Sequence, residues 1–132
     1  MNKVVAHFQD GHMVKGTTND FLPNRETFHV LAADLPAGSK PAEVKMSELK
    51  AVFFVRDLAG NPQHPKRNEF EPGRPVPGRK IRVTFKDGEV LVGTTQGYQS
   101  GRPGFFVVPA DPESNNERCF VVAASTSDVS LI

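Results

Sequence analysis

The chain has 132 residues, a formal net charge of +1 and a single cysteine, Cys119. So small a charge makes no strong field for nucleic acid or an acidic membrane surface, and one cysteine excludes an internal disulfide and fits a reducing compartment. The length suits one domain or two very small ones, and no apolar run approaches the roughly 18 residues that span a bilayer as a helix.

Taken in order, Val4–Phe8 is the first predicted strand, followed by Asp10-Gly11 as a tight hairpin turn and His12–Thr18 as the second strand. The pattern returns later in the chain. Lys3–Phe21 reads KVVAHFQDGHMVKGTTNDF and Lys80–Tyr98 reads KIRVTFKDGEVLVGTTQGY, a constant separation of 77. The later copy is the cleaner: Ile81, Val83 and Phe85 alternate with Arg82, Thr84 and Lys86, the period of a half-buried strand. Asp87-Gly88 repeats the turn, where glycine and, less readily, aspartate tolerate positive φ. Glu89–Thr95 repeats the second strand. Both copies carry a glycine inside it, Gly16 and Gly93, which marks a bend or a close backbone approach.

A polar loop follows, LPNRE in the first copy and QSGRPG in the second, and each keeps an arginine, Arg25 and Arg102. Each arginine reads either as a solvated loop charge or as an anion contact. Thr27–Ala32 and Phe105–Val108 are the third strands, with Phe28, Val30, Phe105 and Val107 as core picks. Ala42–Met46 and Arg118–Ala123 are the fourth. Ser47–Lys50 and Ser125–Asp128 read as single tight turns, and Ala51–Val55 and Val129–Ile132 as the last strands. Matches at the same separation persist from Lys3/Lys80 to Val52/Val129, so one register holds over the whole unit. The expected organisation is a β unit over residues 1–55, a connector over 56–79 and a second β unit over 80–132. Units of about fifty residues bury little surface alone, so the copies are expected to pack on each other or to dimerise.

The connector, RDLAGNPQHPKRNEFEPGRPVPGR, has five prolines and three glycines, which forbid a helix or a central strand. It is mildly basic, and Lys66, Arg67, Arg74 and Arg79 join Arg25 and Arg102 as candidate binding residues. Asp10, Gly11, Gly16, Asp87, Gly88 and Gly93 are read as structural. The four histidines (7, 12, 29, 64) lack ligand spacing and do not recur in the second copy. No nucleophile elbow, phosphate loop or dinucleotide fingerprint occurs. The reading therefore names no catalytic residue, no metal and no cofactor, and expects no enzyme. CFVVAA around Cys119 predicts an inert core thiol. MNKVVAHFQD has no signal-peptide pattern, so a cytoplasmic location is expected.

Five short strands, an Asp-Gly hairpin, a glycine in strand two and a tight turn before strand five resemble the Sm-like version of the small SH3-type barrel. FKDGEVLVG resembles the first Sm motif. The resemblance implies an all-β fold, two tandem five-stranded barrels from an internal duplication, joined by the proline-rich connector. Where Sm proteins carry uridine-reading residues this chain has NDFLPNRE and GYQSGRPG, then SELK and STSD, so no RNA-reading residue carries over. Asp87–Tyr98 with Arg102–Phe106 also resembles a bacterial domain of unknown function (DGE-x-L-x-G-T-T-x-G-Y, then R-P-G-F-F) found in or beside PilZ-type signalling proteins. The cyclic di-GMP signature of PilZ domains is absent. The resemblance implies a non-catalytic interaction or accessory module of bacterial regulation with a protein partner and no membrane. Single-stranded RNA binding is the alternative, and a nucleotide or small-molecule sensor the third.

Overall fold

The computed structural model describes residues 2–36, 38–58, 70, 78–99, 101–111 and 114–132. Its first half holds β1 (Asn2–Phe8), β2 (Met13–Thr18), β3 (Thr27–Ala32), β4 (Ala42–Lys45), a 3₁₀ turn (Met46–Glu48) and β5 (Leu49–Val55). Its second half holds β6 (Arg79–Phe85), β7 (Val90–Thr95), β8 (Gly104–Pro109), β9 (Asn116–Val122), a 3₁₀ turn (Ala123–Ser125) and β10 (Thr126–Leu131). Apart from the start of β9 and the end of β10, every bound in the second half lies 77 residues after its counterpart. The 3₁₀ turns begin one or two residues earlier than the sequence suggests, and the last strands start correspondingly sooner.

All ten strands join one antiparallel sheet in the order β10-β6-β7-β8-β9-β5-β1-β2-β3-β4. The expectation was two five-stranded barrels joined in tandem; what is observed is a single open sheet that runs through both halves. Among the described residues no helix is long and apolar enough to cross a membrane. Of the connector, residues 59–69 and 71–77 lie outside the described residues.

The Asp-Gly turns are three-residue loops. The Gly11 N–H donates to the Phe8 carbonyl at 3.0 Å and the Phe8 N–H to the His12 carbonyl at 2.9 Å; Gly88, Phe85 and Glu89 repeat the pair at 2.9 and 2.8 Å. Only the glycines take positive φ, +96° and +93°, the geometry of a type I turn closed by a left-handed residue. The aspartates act as acceptors instead. Asp10 Oδ1 takes the His12 N–H and Asp87 Oδ1 the Glu89 N–H, both at 3.0 Å.

The halves meet where β5 pairs with β9, with Ala51 opposite Val121, Val52 opposite Phe120 and Phe53 opposite Cys119. Residues 51–55 of β5 and 119–122 of β9 are covered on both faces. Val52 and Phe54 join the first half's core together with Phe120 and Val122 of β9. Ala51, Phe53 and Val55, with Val5 of β1, join the second half's core beside Cys119 and Val121. Each half thus completes the other's interior. A strand buried on both faces reads as a continuous apolar run, which is why AVFFV and CFVV lack alternation. Cys119 is fully buried, and burial pushes its thiol far above the ordinary cysteine range, as expected for an inert core residue.

Candidate cleft between the two halves

Five phenylalanines gather where the halves meet. Phe21, at the end of the β2 hairpin arm, packs edge-on against Phe28, Phe54, Phe106 and Phe120 with centroid distances of 5.1, 5.3, 6.3 and 5.4 Å. Phe106 and Phe120 also meet at 5.1 Å. Three rings come from the first half and two from the second. Edge-to-face pairs of this kind each add about 0.5–1.5 kcal/mol beyond area burial.

Arg118 of β9 lies on top of this cluster. It stands opposite Phe54 of β5 in the register, so the two side chains share a face. Its guanidinium carbon is 4.3 Å from the centroid of Phe54 and 5.0 Å from that of Phe106, close enough for cation–π attraction to both. Two open cavities meet at Arg118 and Val108. One, of about 510 Å³, runs from Pro23 of the first half past Thr94, Thr95 and Arg102 to Phe106 and Phe120. The other, of about 550 Å³, runs past Lys3, Arg56 and Glu117. The result is a groove with an aromatic floor and a basic rim. Among the described residues neither Arg102 nor Arg118 forms an ion pair.

The loop arginines predicted from sequence occupy equivalent turns. The Arg25 N–H donates to the Leu22 carbonyl at 3.1 Å and the Arg102 N–H to the Gln99 carbonyl at 3.4 Å. Both side chains are exposed, and Arg102 lines the groove. Arg79 opens β6, exposed and opposite Thr95. Lys66, Arg67 and Arg74 lie outside the described residues. Arg118 was not among the sequence candidates. Phe21 and Tyr98 are half-buried against the two cores, Tyr98 edge-on to Phe105 at 4.8 Å.

A second polar group fastens the halves from the other face. Lys50 Nζ of β5 reaches Asp87 Oδ2 and Glu89 Oε1 of the β6–β7 hairpin, both at 2.7 Å, and lies 4.7 Å from the Phe85 ring centroid. Burial pulls the Lys50 pKa down, but the hydrogen bonds its ammonium donates to the two carboxylates outweigh it and the net shift is upward. The Lys50 ammonium holds Asp87 below the ordinary aspartate value of 3.8. The signs define a window. The depressed Asp87 stabilises the fold above its unfolded pKa and stops doing so as pH falls through its folded pKa, below 3.8. The raised Lys50 stabilises below 10.5 and is lost only as pH climbs past its higher folded value. Lys50→Met keeps the aliphatic stem on Phe85 and removes the charge. We expect it to cost about 1 kcal/mol at neutral pH, because both carboxylates remain partly solvated. The gap to the parent should narrow as pH falls below 3.8 and Asp87 takes up its proton. Urea melts at pH 7 and pH 2.5 measure it, and an equal gap at both would refute the pairing.

The remaining titratable groups have local duties. Asp20 takes the His29 N–H at 2.9 Å, the Thr18 hydroxyl at 3.1 Å and the His29 ring at 2.7 Å, and the backbone bond most of all lowers its pKa. Asp10 pairs with the His12 ring. Burial, then the nearby Lys50 charge, lowers His7, whose ring packs edge-on to Phe53 at 4.6 Å. Among the described residues no group of three or more histidine, cysteine or carboxylate side chains is placed to hold a metal ion.

One family model matches the chain, over residues 1–132, and its description is a family of unknown function, DUF6982. No curated protein and no solved structure gives a match.

Proposed function

The chain belongs to the DUF6982 family, whose function is unknown, and for it we propose a non-catalytic interaction module that takes an acidic segment of a partner protein into the groove between its halves. The carrying observation is Arg118, stacked on Phe54 and Phe106 where the two cavities join. A guanidinium resting over two rings gives up part of its freedom before any ligand arrives, so less further ordering is needed when a carboxylate binds. Arg102 at one end and Lys3 at the other extend the positive rim, and Val108, 50% exposed between them, offers an aliphatic contact. In this reading the halves are duplicated copies of one small barrel-type unit, and the proline-rich segment between them is a connector. Their groove arises only where the copies meet.

An acidic peptide fits better than single-stranded RNA. Sequence-tolerant RNA binding needs open aromatic faces for base stacking. Here Arg118 covers Phe54 and Phe106, and Phe21 and Tyr98 each turn part of the ring into a core. A net charge of +1 also supplies little of the phosphate attraction such binding depends on.

The test is fluorescence anisotropy with labelled Asp/Glu-rich peptides that carry interspersed aliphatic residues, set against the same peptides with Gln and Asn. Arg118→Ala should weaken acidic-peptide binding about tenfold or more, a loss of about 1.4 kcal/mol, and leave the melting temperature nearly unchanged. Equal affinity for the neutral peptides, or an unchanged affinity in the variant, rules the groove out. Tighter binding of short RNA with a steep salt dependence would replace the protein partner with nucleic acid.

A further inference from the structure

We infer that the two open sheet edges, β4 and β10, are a second version of the β5–β9 junction, and that their side chains close them against further copies of the chain. This rests on the reading of the halves as equivalent copies and is independent of what the groove binds.

The internal junction pairs the fifth strand of the first half with the fourth strand of the second. What remains unpaired is the fourth strand of the first half and the fifth of the second. A second chain could therefore add head to tail with the same geometry, and the addition would repeat without end or close into a ring. Open edges of this kind are a hazard that side chains have to manage.

The positions that bury one half in the other can be compared with their counterparts 77 residues away. On the donor side, Phe106, Phe120 and Val122 enter the first half's core, and their counterparts at the β3–β4 edge are His29, Glu43 and Lys45. On the acceptor side, Val5, Ala51 and Phe53 enter the second half's core, and their counterparts at the β6–β10 edge are Arg82, Asp128 and Ser130. All six apolar residues face a polar or charged counterpart. Arg118, opposite Phe54 in the junction, corresponds to Pro41, which has no N–H to donate. Only Val55 keeps an apolar counterpart, Ile132, which is 55% exposed at the chain end. Among the residues that face each half's own interior most pairs stay apolar: Val44 and Val121 are both fully covered, as are Val52 and, in part, Val129, while Leu49 has Thr126 as its counterpart. The change to polar residues is concentrated on the face that a further copy would touch.

Burying Glu43 where Phe120 sits, or Asp128 where Ala51 sits, would strand charges in an apolar core. The chain is thus a closed pair of halves with one working junction.

The test restores the junction residues to the edges of the full chain in two separate variants. One is P41R/E43F/K45V, on the β4 edge. The other is D128A/S130F, on the β10 edge. Glu43, Lys45 and Asp128 are exposed and Ser130 half-buried, so both variants should keep the parent's circular dichroism. In sedimentation velocity at equal concentration, each alone should match the parent as a single chain, because each has only one restored edge. Their mixture should form a one-to-one pair of twice the mass, and a chain carrying all five changes should form a ladder of larger species. Adding Leu131→Pro to the second variant should abolish pairing. The Ile132 N–H donates to Lys80 of β6, so by strand alternation the Leu131 N–H points away from β6, to the open edge. A mixture that stays at single-chain size overturns the inference. So does a parent chain that already assembles through these edges, or association of each variant with itself as strong as in the mixture.

Discussion

Gly93→Val is expected to destabilise the fold by about 3–5 kcal/mol, among the largest effects a single substitution produces. A Cβ built on Gly93 would lie 2.1 Å from the Val108 carbonyl oxygen and 2.7 Å from Val107 Cγ1. The obstacle is backbone, which cannot swing aside as a long side chain would. Gly93 does not need positive φ. It needs the space a side chain would take, because β8 passes directly over it. The described register between β7 and β8 has two pairs, Gly93 with Pro109 and Thr94 with Val108, so forcing the strands apart threatens their whole connection. Propensity alone argues the other way, since valine favours strands and glycine does not. Gly93→Ala carries the same Cβ and should therefore be nearly as damaging. Gly97→Ala is the control: nothing lies within 4 Å of its Cβ and its φ is not left-handed, so it should stay within about 0.5 kcal/mol. Thermal and urea melts of the three variants decide it. If Gly93→Ala stayed within about 1 kcal/mol of the parent, the ordinary cost of a glycine change, the close approach would be wrong. Gly16 repeats the geometry at 2.1 Å from the Leu31 oxygen, so Gly16→Ala should behave alike.

That glycine pair shows how far the chain could be read without coordinates. Alternation in Ile81–Phe85, the Asp-Gly turns and an in-strand glycine at the same place in both halves are local signals, and each fell on the element it predicted. Long-range pairing left a fainter mark. Ala51–Val55 is apolar throughout, whereas its counterpart Asp128–Ile132 alternates. Corresponding positions in the two halves thus differ in how many faces they bury, and that difference was the available sign that β5 lies at the centre of a shared sheet and β10 at its edge. Arg118 escaped for a related reason. Looking for residues that both halves share selects Arg25 and Arg102, but the counterpart of Arg118 is Pro41. A groove formed where two halves meet exists once, so a residue that lines it, as Arg118 does, has no need of a like counterpart in the other half. Lys50, whose counterpart is Ser127, was missed for the same reason.

The interlocking of the cores carries the other large effect. Phe120→Ala should cost about 3–5 kcal/mol, the usual range for a buried phenylalanine. Phe120 is 2% exposed and belongs to the first half's core although β9 belongs to the second half. The site has little means of closing around the loss. The ring lies over Gly104, whose Cβ would sit 2.4 Å from its edge, so no side chain there can fill the space. Phe21 and Phe106 would lose their edge contacts at 5.4 and 5.1 Å as well. Both halves depend on this junction, so parent and variant should each unfold in a single transition that coincides by fluorescence and circular dichroism. Two independent barrels would behave differently: the substitution would lower one transition and leave the other in place. Glu43→Ala changes the corresponding residue at the outer edge, where the side chain is exposed, and should shift stability by no more than about 0.5 kcal/mol. A loss below about 1 kcal/mol for Phe120→Ala, or a melt that splits in two, would show that the halves fold separately and that the shared sheet contributes little to holding them together.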